Sequence, residues 1–282
     1  MPHPTLILDA GAALGEGPRW HAGEACLYWV DIARAELHRF DPATGTDAVR
    51  SLPEPAGCFA FRRAGGLLLA MQSGFFTLAD WDATPQPFGP RLLAGQPDYR
   101  FNDGRTDPAG RFWAGTVDTA KASHQATLYR LDPDGRTTPM LSGMTTCNGA
   151  AFTADGRRFA HADTPTHRLR MFEVGQDGTL GPPRDVHAWP HGQGRPDGGS
   201  FDLDGCYWTA LFDGGRVVRI GPDGAIRAEV RLPVSRPTMI VFGGEGDRTA
   251  FVTSARVAGE PGSGGIFSFP VDTPGVPEFP FG

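Results

Sequence analysis

Along this chain, short apolar or aromatic runs alternate with polar turns centred on glycine, and the pattern returns at a nearly constant interval. It reads HAGEACLYWV from His21, RRAGGLLLAM from Arg62, DPAGRFWAGT from Asp107, TADGRRFAHA from Thr153, DLDGCYWTAL from Asp202 and, more weakly, GGEGDRTAFVTS from Gly243. Aligned on Gly23, Gly65, Gly110, Gly156, Gly205 and Gly246, the units are spaced by 42, 45, 46, 49 and 41 residues. A second run and turn follow in each unit: AELHRFDPATG, SGFFTLADWDA, ATLYRLDPDG, HRLRMFEVGQDG, GRVVRIGPDG and GIFSFPVDTPG. Apolar residues in steps of two, as in LYRL and VVRI, closed by DPDG or GPDG, are hairpin signals. Repeats of this length with several strands each predict an all-β, six-bladed β-propeller, whereas helical repeats would space apolar residues by three and four. The repeats use up the sequence, which predicts a single domain over residues 1–282. The strand TLILDA, Thr5 to Ala10, precedes the first unit and is predicted to complete the last blade near Gly265 to Val271, closing the ring and removing an exposed edge.

Composition agrees with short strands and many turns, since Gly 39 and Pro 26 make up nearly a quarter of 282 residues. The net charge of −6 has no basic cluster behind it, so nucleic acid is excluded as a partner. Met1 to Leu14 lacks a charged segment followed by an apolar one, and no stretch approaches the roughly 18 apolar residues of a spanning helix. The expectation is a soluble, cytoplasmic protein without a membrane partner, a monomer or weak oligomer. Cys26, Cys58, Cys147 and Cys206 show no CxxC spacing and are expected as reduced thiols. Lys121 is the one lysine among 26 basic residues, a bias that suggests a GC-rich bacterial source.

Candidate chemistry sits at one repeated position. Eight residues before each turn glycine, or seven in the first unit, stand Glu16, Gly57, Asn102, Asn148, Asp197 and Thr238. These segments should open the innermost strand of each blade, so the positions face one another around the channel. A ring of Glu, Asn, Asn and Asp oxygens is what a hard divalent cation needs. Asn or Asp beside Gly is also an ordinary turn residue. Glu16, flanked by Gly15 and Gly17, is a poor one, and the shared register argues against independent turn roles. Arg100 could be solvated or could project over the channel mouth, while Asp103 and Asp107 are expected to serve turns. His124, His161, His167 and His191 have no paired ligand spacing and are expected on the surface or in packing. No GxSxG, Walker loop or HExxH occurs, which leaves serine hydrolase, NTPase and zincin chemistry without support.

The stretches LGEGPRW with YWVDI, RFNDGRTDPAGRFWAGT, CNGAAFTADG and RPDGGSFDLDGCYWTALFDGGRVVRI resemble the regucalcin/gluconolactonase family of sugar lactonases. The resemblance spans all but the second and last blades and implies a six-bladed propeller, in agreement with the repeats. It implies that Glu16, Asn148 and Asp197 hold the metal and that Arg100 and Asn102 contact substrate. Some members carry an acidic residue in the loop after the strand matching FWAGT. Here that loop reads VDTAKASHQ, with Asp118 and Lys121 and no matching Glu.

Three protein ligands leave an ion open positions, as catalytic metals require. The expected reaction is hydrolysis of a sugar (aldono) lactone, a small molecule, to its aldonic acid, by water attacking a metal-polarised carbonyl with Asp197 as base. The donor set suits Ca, Mg or Mn and also Zn or Fe(II). The alternatives are a calcium-binding regulatory propeller without turnover, a propeller serving as an interaction platform, and a promiscuous metal-dependent esterase.

Overall fold

The structure, a computed structural model, describes residues 3–282. Six four-stranded antiparallel sheets follow one another along the chain, and no α-helix occurs among the described residues, so none is long and apolar enough to cross a membrane. The first strands of the sheets are Gly15–His21, Ala56–Phe61, Tyr99–Thr106, Cys147–Phe152, Arg195–Phe201 and Pro237–Gly243. Each touches the first strand of the next sheet, and the last touches the first, so together they form a closed inner ring. The protein is therefore a six-bladed β-propeller, as the repeats predict. Thr5–Leu8 pairs antiparallel with Ile266–Pro270 and becomes the outermost strand of blade 6, so the chain's start is fastened to its last blade.

The turn that recurs in the sequence has a physical basis visible in blades 3 and 5. Asp107 accepts from the backbone N–H groups of Ala109 and Arg111, each at 3.0 Å, and from the Trp113 indole at 2.9 Å. Asp202 does the same with Asp204 and Cys206 at 3.0 Å and Trp208 at 2.9 Å. One carboxylate thus closes the turn and orients the aromatic that packs against the neighbouring blade. The expected turn role of Asp107 is what the structure has.

The core is six apolar clusters, one at each interface between blades. Val30 and Leu37 meet Phe59 and Leu69 between blades 1 and 2, Trp113 meets Phe152 and Phe159 between blades 3 and 4, and Trp29 and Phe40 meet Val241 and Phe251 where blade 6 joins blade 1. Truncating a buried aromatic to Ala typically costs ~3–5 kcal/mol, so blade faces rather than the axial channel hold the ring together. All four cysteines are free thiols.

The C-terminal segment has no counterpart among the repeats. Its backbone bonds to Leu203 and Phe201 of blade 5, to Phe61 and Arg63 of blade 2, and to Gly110 of blade 3, all where inner strands end. Glu278 pairs with Arg105 and lies 3.5 Å from Arg19, both buried, so the segment spans that end of the channel. The opposite end, where the inner strands begin, carries the candidate residues.

Candidate active site at the channel mouth

Every inner strand breaks its ladder register near its start. The shifts fall between Glu16 and Arg19, Ala56 and Cys58, Phe101 and Gly104, Asn148 and Ala151, Pro196 and Gly199, and Pro237 and Met239. Bulges re-aim side chains and are common beside active sites. In blades 1 and 4 the glycine after the functional residue makes the bulge possible: Gly17 has φ +56° and Gly149 φ +67°. A side chain at Gly149 would also lie 2.6 Å from the Tyr207 hydroxyl. Repeated across the blades, this device brings Glu16, Asn102, Asn148 and Asp197 to one level, each at most 7% exposed.

Two ring positions contribute no ligand-type side chain. Gly57 packs so closely on blade 3 that a Cβ would sit 2.2 Å from the Phe101 carbonyl oxygen. Thr238 donates to the Gly15 carbonyl and shares a 2.8 Å hydrogen bond with Thr253, so it ties blade 6 to blade 1.

The polar side chains form a directed chain. Arg100 Nη1 donates to Asn102 Oδ1 at 2.8 Å, and Asn102 Nδ2 donates to Asn148 Oδ1 at 2.7 Å and to the Cys147 carbonyl at 3.0 Å. Asn148 Nδ2 donates to Thr164 Oγ1 at 2.8 Å, and that hydroxyl donates to the Pro196 carbonyl, 2.9 Å away beside Asp197. With Nδ2 donating to Thr164 and Oδ1 accepting from Asn102, the Asn148 amide is held in one orientation in the ring. Sequence reasoning missed Thr164, which carries no local signal of its role.

The two acids are less settled. Glu16 Oε2 accepts a 3.2 Å bond from Gly17 N–H, and Asp197 Oδ1 is buried with no hydrogen-bond partner. Burial, and then the charge of Asp103, raise the Glu16 pKa from 4.5 to about 8. Burial, followed by the charges of Glu16 and Asp103, pushes Asp197 well above the carboxylate range. Burial also lowers the Arg100 pKa, against the pull of Glu16 and Asp197. A pair of buried carboxylates, one with an orphaned oxygen, beside a fixed amide oxygen is a set of hard donors short of a positive charge. It fits a divalent cation of the oxygen-seeking kind. Among the described residues no three His, Cys, Asp or Glu side chains converge, so such an ion would draw on the neutral Asn148 amide as well.

Asp103 departs from expectation. It does accept from its own turn at Gly104 N–H, at 2.7 Å, but its other oxygen accepts from Ala150 N–H of blade 4 at 2.9 Å. Both oxygens are thus occupied in bracing two blades, and its buried charge acts on Glu16 and Asp197 from behind. The histidines match expectation. His161 is buried and neutral, its pKa lowered to about 3 by burial, His124 bonds Thr145 at 2.9 Å, and the His167 and His191 rings pack 4.3 Å apart.

Residues 14–256 match the family model described as SMP-30/Gluconolactonase/LRE-like region. The chain belongs to this family. Within it, the chain is 42% identical over 283 residues to a 6-deoxy-6-sulfogluconolactonase of Pseudomonas putida, covering 96% of each protein. It is 32% identical to a pentonolactonase of Haloferax volcanii, covering 98% of this chain and 97% of that protein. Among solved structures, a calcium-binding protein, regucalcin, of Agrobacterium tumefaciens superposes with a TM-score of 0.92 at 26% identity, over 98% of this chain and 96% of the other. The fold and family implied by the sequence motifs are those found.

Proposed function

We propose that this chain is a lactonase that hydrolyses a sugar lactone to the aldonic acid at the open mouth of the propeller, with one divalent cation held by Glu16, Asn148 and Asp197. The observation that carries the reading is the buried Glu16–Asp197 pair, with Asp197 Oδ1 unpartnered next to the fixed Asn148 amide. Membership of a family whose relatives are named for lactone hydrolysis supports it. A cation so held supplies Lewis acidity toward a carbonyl and toward water. Asp197 takes the proton from the attacking water, since its Oδ1 is buried without a partner, whereas Glu16 Oε2 accepts from Gly17 N–H. Arg100 offers its remaining N–H groups to the substrate's ring hydroxyls, and Asn102, whose own N–H groups go to Asn148 and Cys147, holds Arg100 in place from its amide oxygen; burial of these groups around the site excludes bulk water.

The experiment is a panel of lactones assayed with and without each candidate metal. Polar groups built for hydroxyls are left unpaired by analogues lacking them. A polyhydroxylated five- or six-membered lactone should therefore exceed an unsubstituted lactone of the same ring size by well over about tenfold in kcat/KM. Arg100→Ala should shrink that preference more than it weakens metal affinity. Preference of the wild type for δ-valerolactone or an aryl ester over δ-gluconolactone would replace this reading with a metal esterase. Metal binding with no turnover of any lactone would leave a calcium-binding protein of the kind for which the Agrobacterium relative is named.

A second prediction concerns pH. The folded, cation-free protein keeps the Glu16 proton up to about pH 8, whereas the unfolded chain releases it near 4.5. Stability from this group is complete below 4.5 and is lost as pH rises towards about 8, and Asp197 shifts in the same direction. A bound cation stabilises the ionised forms and cancels that loss. The increase in Tm on adding metal should widen as the pH is raised across this window, measured by thermal unfolding with metal and with chelator. A gap that narrows with rising pH would be the wrong sign for this site.

A further inference from the structure

Lys121 lies in the connection between Phe112–Asp118 and Ala126–Leu131 of blade 3, exposed at the same end of the channel as the candidate residues. The connection is ordered by Asp118, whose carboxylate accepts from the backbone N–H groups of Ala120, Ala122 and Ser123 at 3.0, 2.9 and 2.6 Å. Lys121 itself adopts φ +54°, which is uncommon for a residue with a side chain. Its Nζ is not extended into water. It donates to Thr146 Oγ1 at 2.6 Å, two residues before Asn148.

Charges of both signs lie around it. Burial, then the positive charges of Arg100 and Arg195, act against the Lys121 ammonium, while Asp197 and Asp118 favour it. Arg195 has a carboxylate of its own, Asp213. Among the described residues, neither Lys121 nor Arg100 has one: their side chains donate to Thr146, to Asn102 and to the Phe101 carbonyl. Arg100 is drawn by Glu16 and Asp197, and Lys121 by Asp197 and Asp118, but neither is in direct contact with a carboxylate among the described residues, so both keep N–H donors for an anionic group in the space they share.

We infer that Lys121, with Arg100 behind it, forms a subsite for a singly charged oxyanion, such as a sulfonate, carried by the lactone on the carbon farthest from its carbonyl. The inference rests on the lactonase reading of the site and adds a substrate class to it. Placement of the negative group at the rim keeps it away from Glu16 and Asp197. Lysine suits this task because it acts as a compact point charge, with the Thr146 hydroxyl as a neighbouring donor once the ammonium turns to the ligand. A doubly charged phosphate would be attracted by the same pair but repelled more by the two acids.

The test compares kcat/KM for δ-gluconolactone with that for its 6-deoxy-6-sulfo and 6-phospho derivatives, in wild type, Lys121→Arg and Lys121→Met, at low and high salt. The sulfonated lactone should exceed the neutral one by about tenfold or more, the scale of one charge-assisted hydrogen bond. The ratio should collapse in Lys121→Met, survive in Lys121→Arg and decline with added salt. If the phosphorylated lactone leads and also loses its advantage in Lys121→Met, the assignment to a singly charged oxyanion is overturned. Hydrolysis of the neutral lactone with no preference for either anion, or a preference that Lys121→Met retains, overturns the subsite and leaves the lactonase intact. Absence of turnover on all three lactones removes the lactonase reading and this inference with it.

Discussion

Asp197→Asn should lower turnover by ~10²–10⁴-fold, the usual contribution of a general base, and excess metal should not restore it. The amide is nearly isosteric with the carboxylate, so the inner strand Arg195–Phe201 and its bulge between Pro196 and Gly199 should form as before. Its carbonyl oxygen can still face a cation, but it cannot accept a proton from water at neutral pH. Removal of one of two mutually repelling buried acids should also leave the chelated variant at least as stable as the chelated wild type. Asn148→Ala is the contrasting variant. It deletes a neutral oxygen donor and leaves the Asn102 amide and the Thr164 hydroxyl without their partner. The expected defect is in metal affinity, so its kcat/KM should recover in part as metal is titrated in. The measurement is kcat/KM against metal concentration for both variants. Equal rescue of the two would remove Asp197 from the role of base.

Chelation should abolish lactone hydrolysis while the propeller stays folded. The residues assigned to the cation lie at one mouth of the channel, whereas the apolar clusters lie between blades, and the far end of the channel is independently closed by Glu278 with Arg19 and Arg105. Loss of the cation restores the proton on Glu16 and leaves those interfaces untouched. Circular dichroism and thermal unfolding should show the same cooperative β structure with a lowered Tm, and activity should return when metal is added back. Full activity in excess chelator would sink the proposed mechanism. Global unfolding on chelation would instead assign the ion a structural role.

The repeats made both the fold and the level of the site legible. Because each unit forms one blade, a residue's offset from its turn glycine gives its height along an inner strand; Asn102, Asn148 and Asp197 share an offset of eight and Glu16 stands at seven. The bulges were not legible: only the structure shows that Gly17 and Gly149 take the left-handed positions that aim Glu16 and Asn148. Asp103 was misread as a turn residue alone because Asn-Asp-Gly is a turn signal. Its second bond, to Ala150, spans 47 residues and depends on blade 4 lying against blade 3.

By itself, the sequence determined what is local or periodic: the strands, the turns closed by Asp107 and Asp202, the number of blades and the ring position of each candidate residue. These follow from bonds within a few residues and from repetition of one packing unit. Tertiary structure alone decided the rest. The final segment, TPGVPEFPFG, has no periodicity, yet it places Glu278 against Arg105, 173 residues away in sequence. Lys121 reads as one more surface charge until the Asp118 turn directs it onto Thr146. The raised pKa values arise first from burial, and then from the charge of Asp103 at Glu16 and from those of Glu16 and Asp103 at Asp197. Those charges meet only when three blades converge, because desolvation and Coulomb energy depend on distance in space, which the order of residues along a chain does not contain.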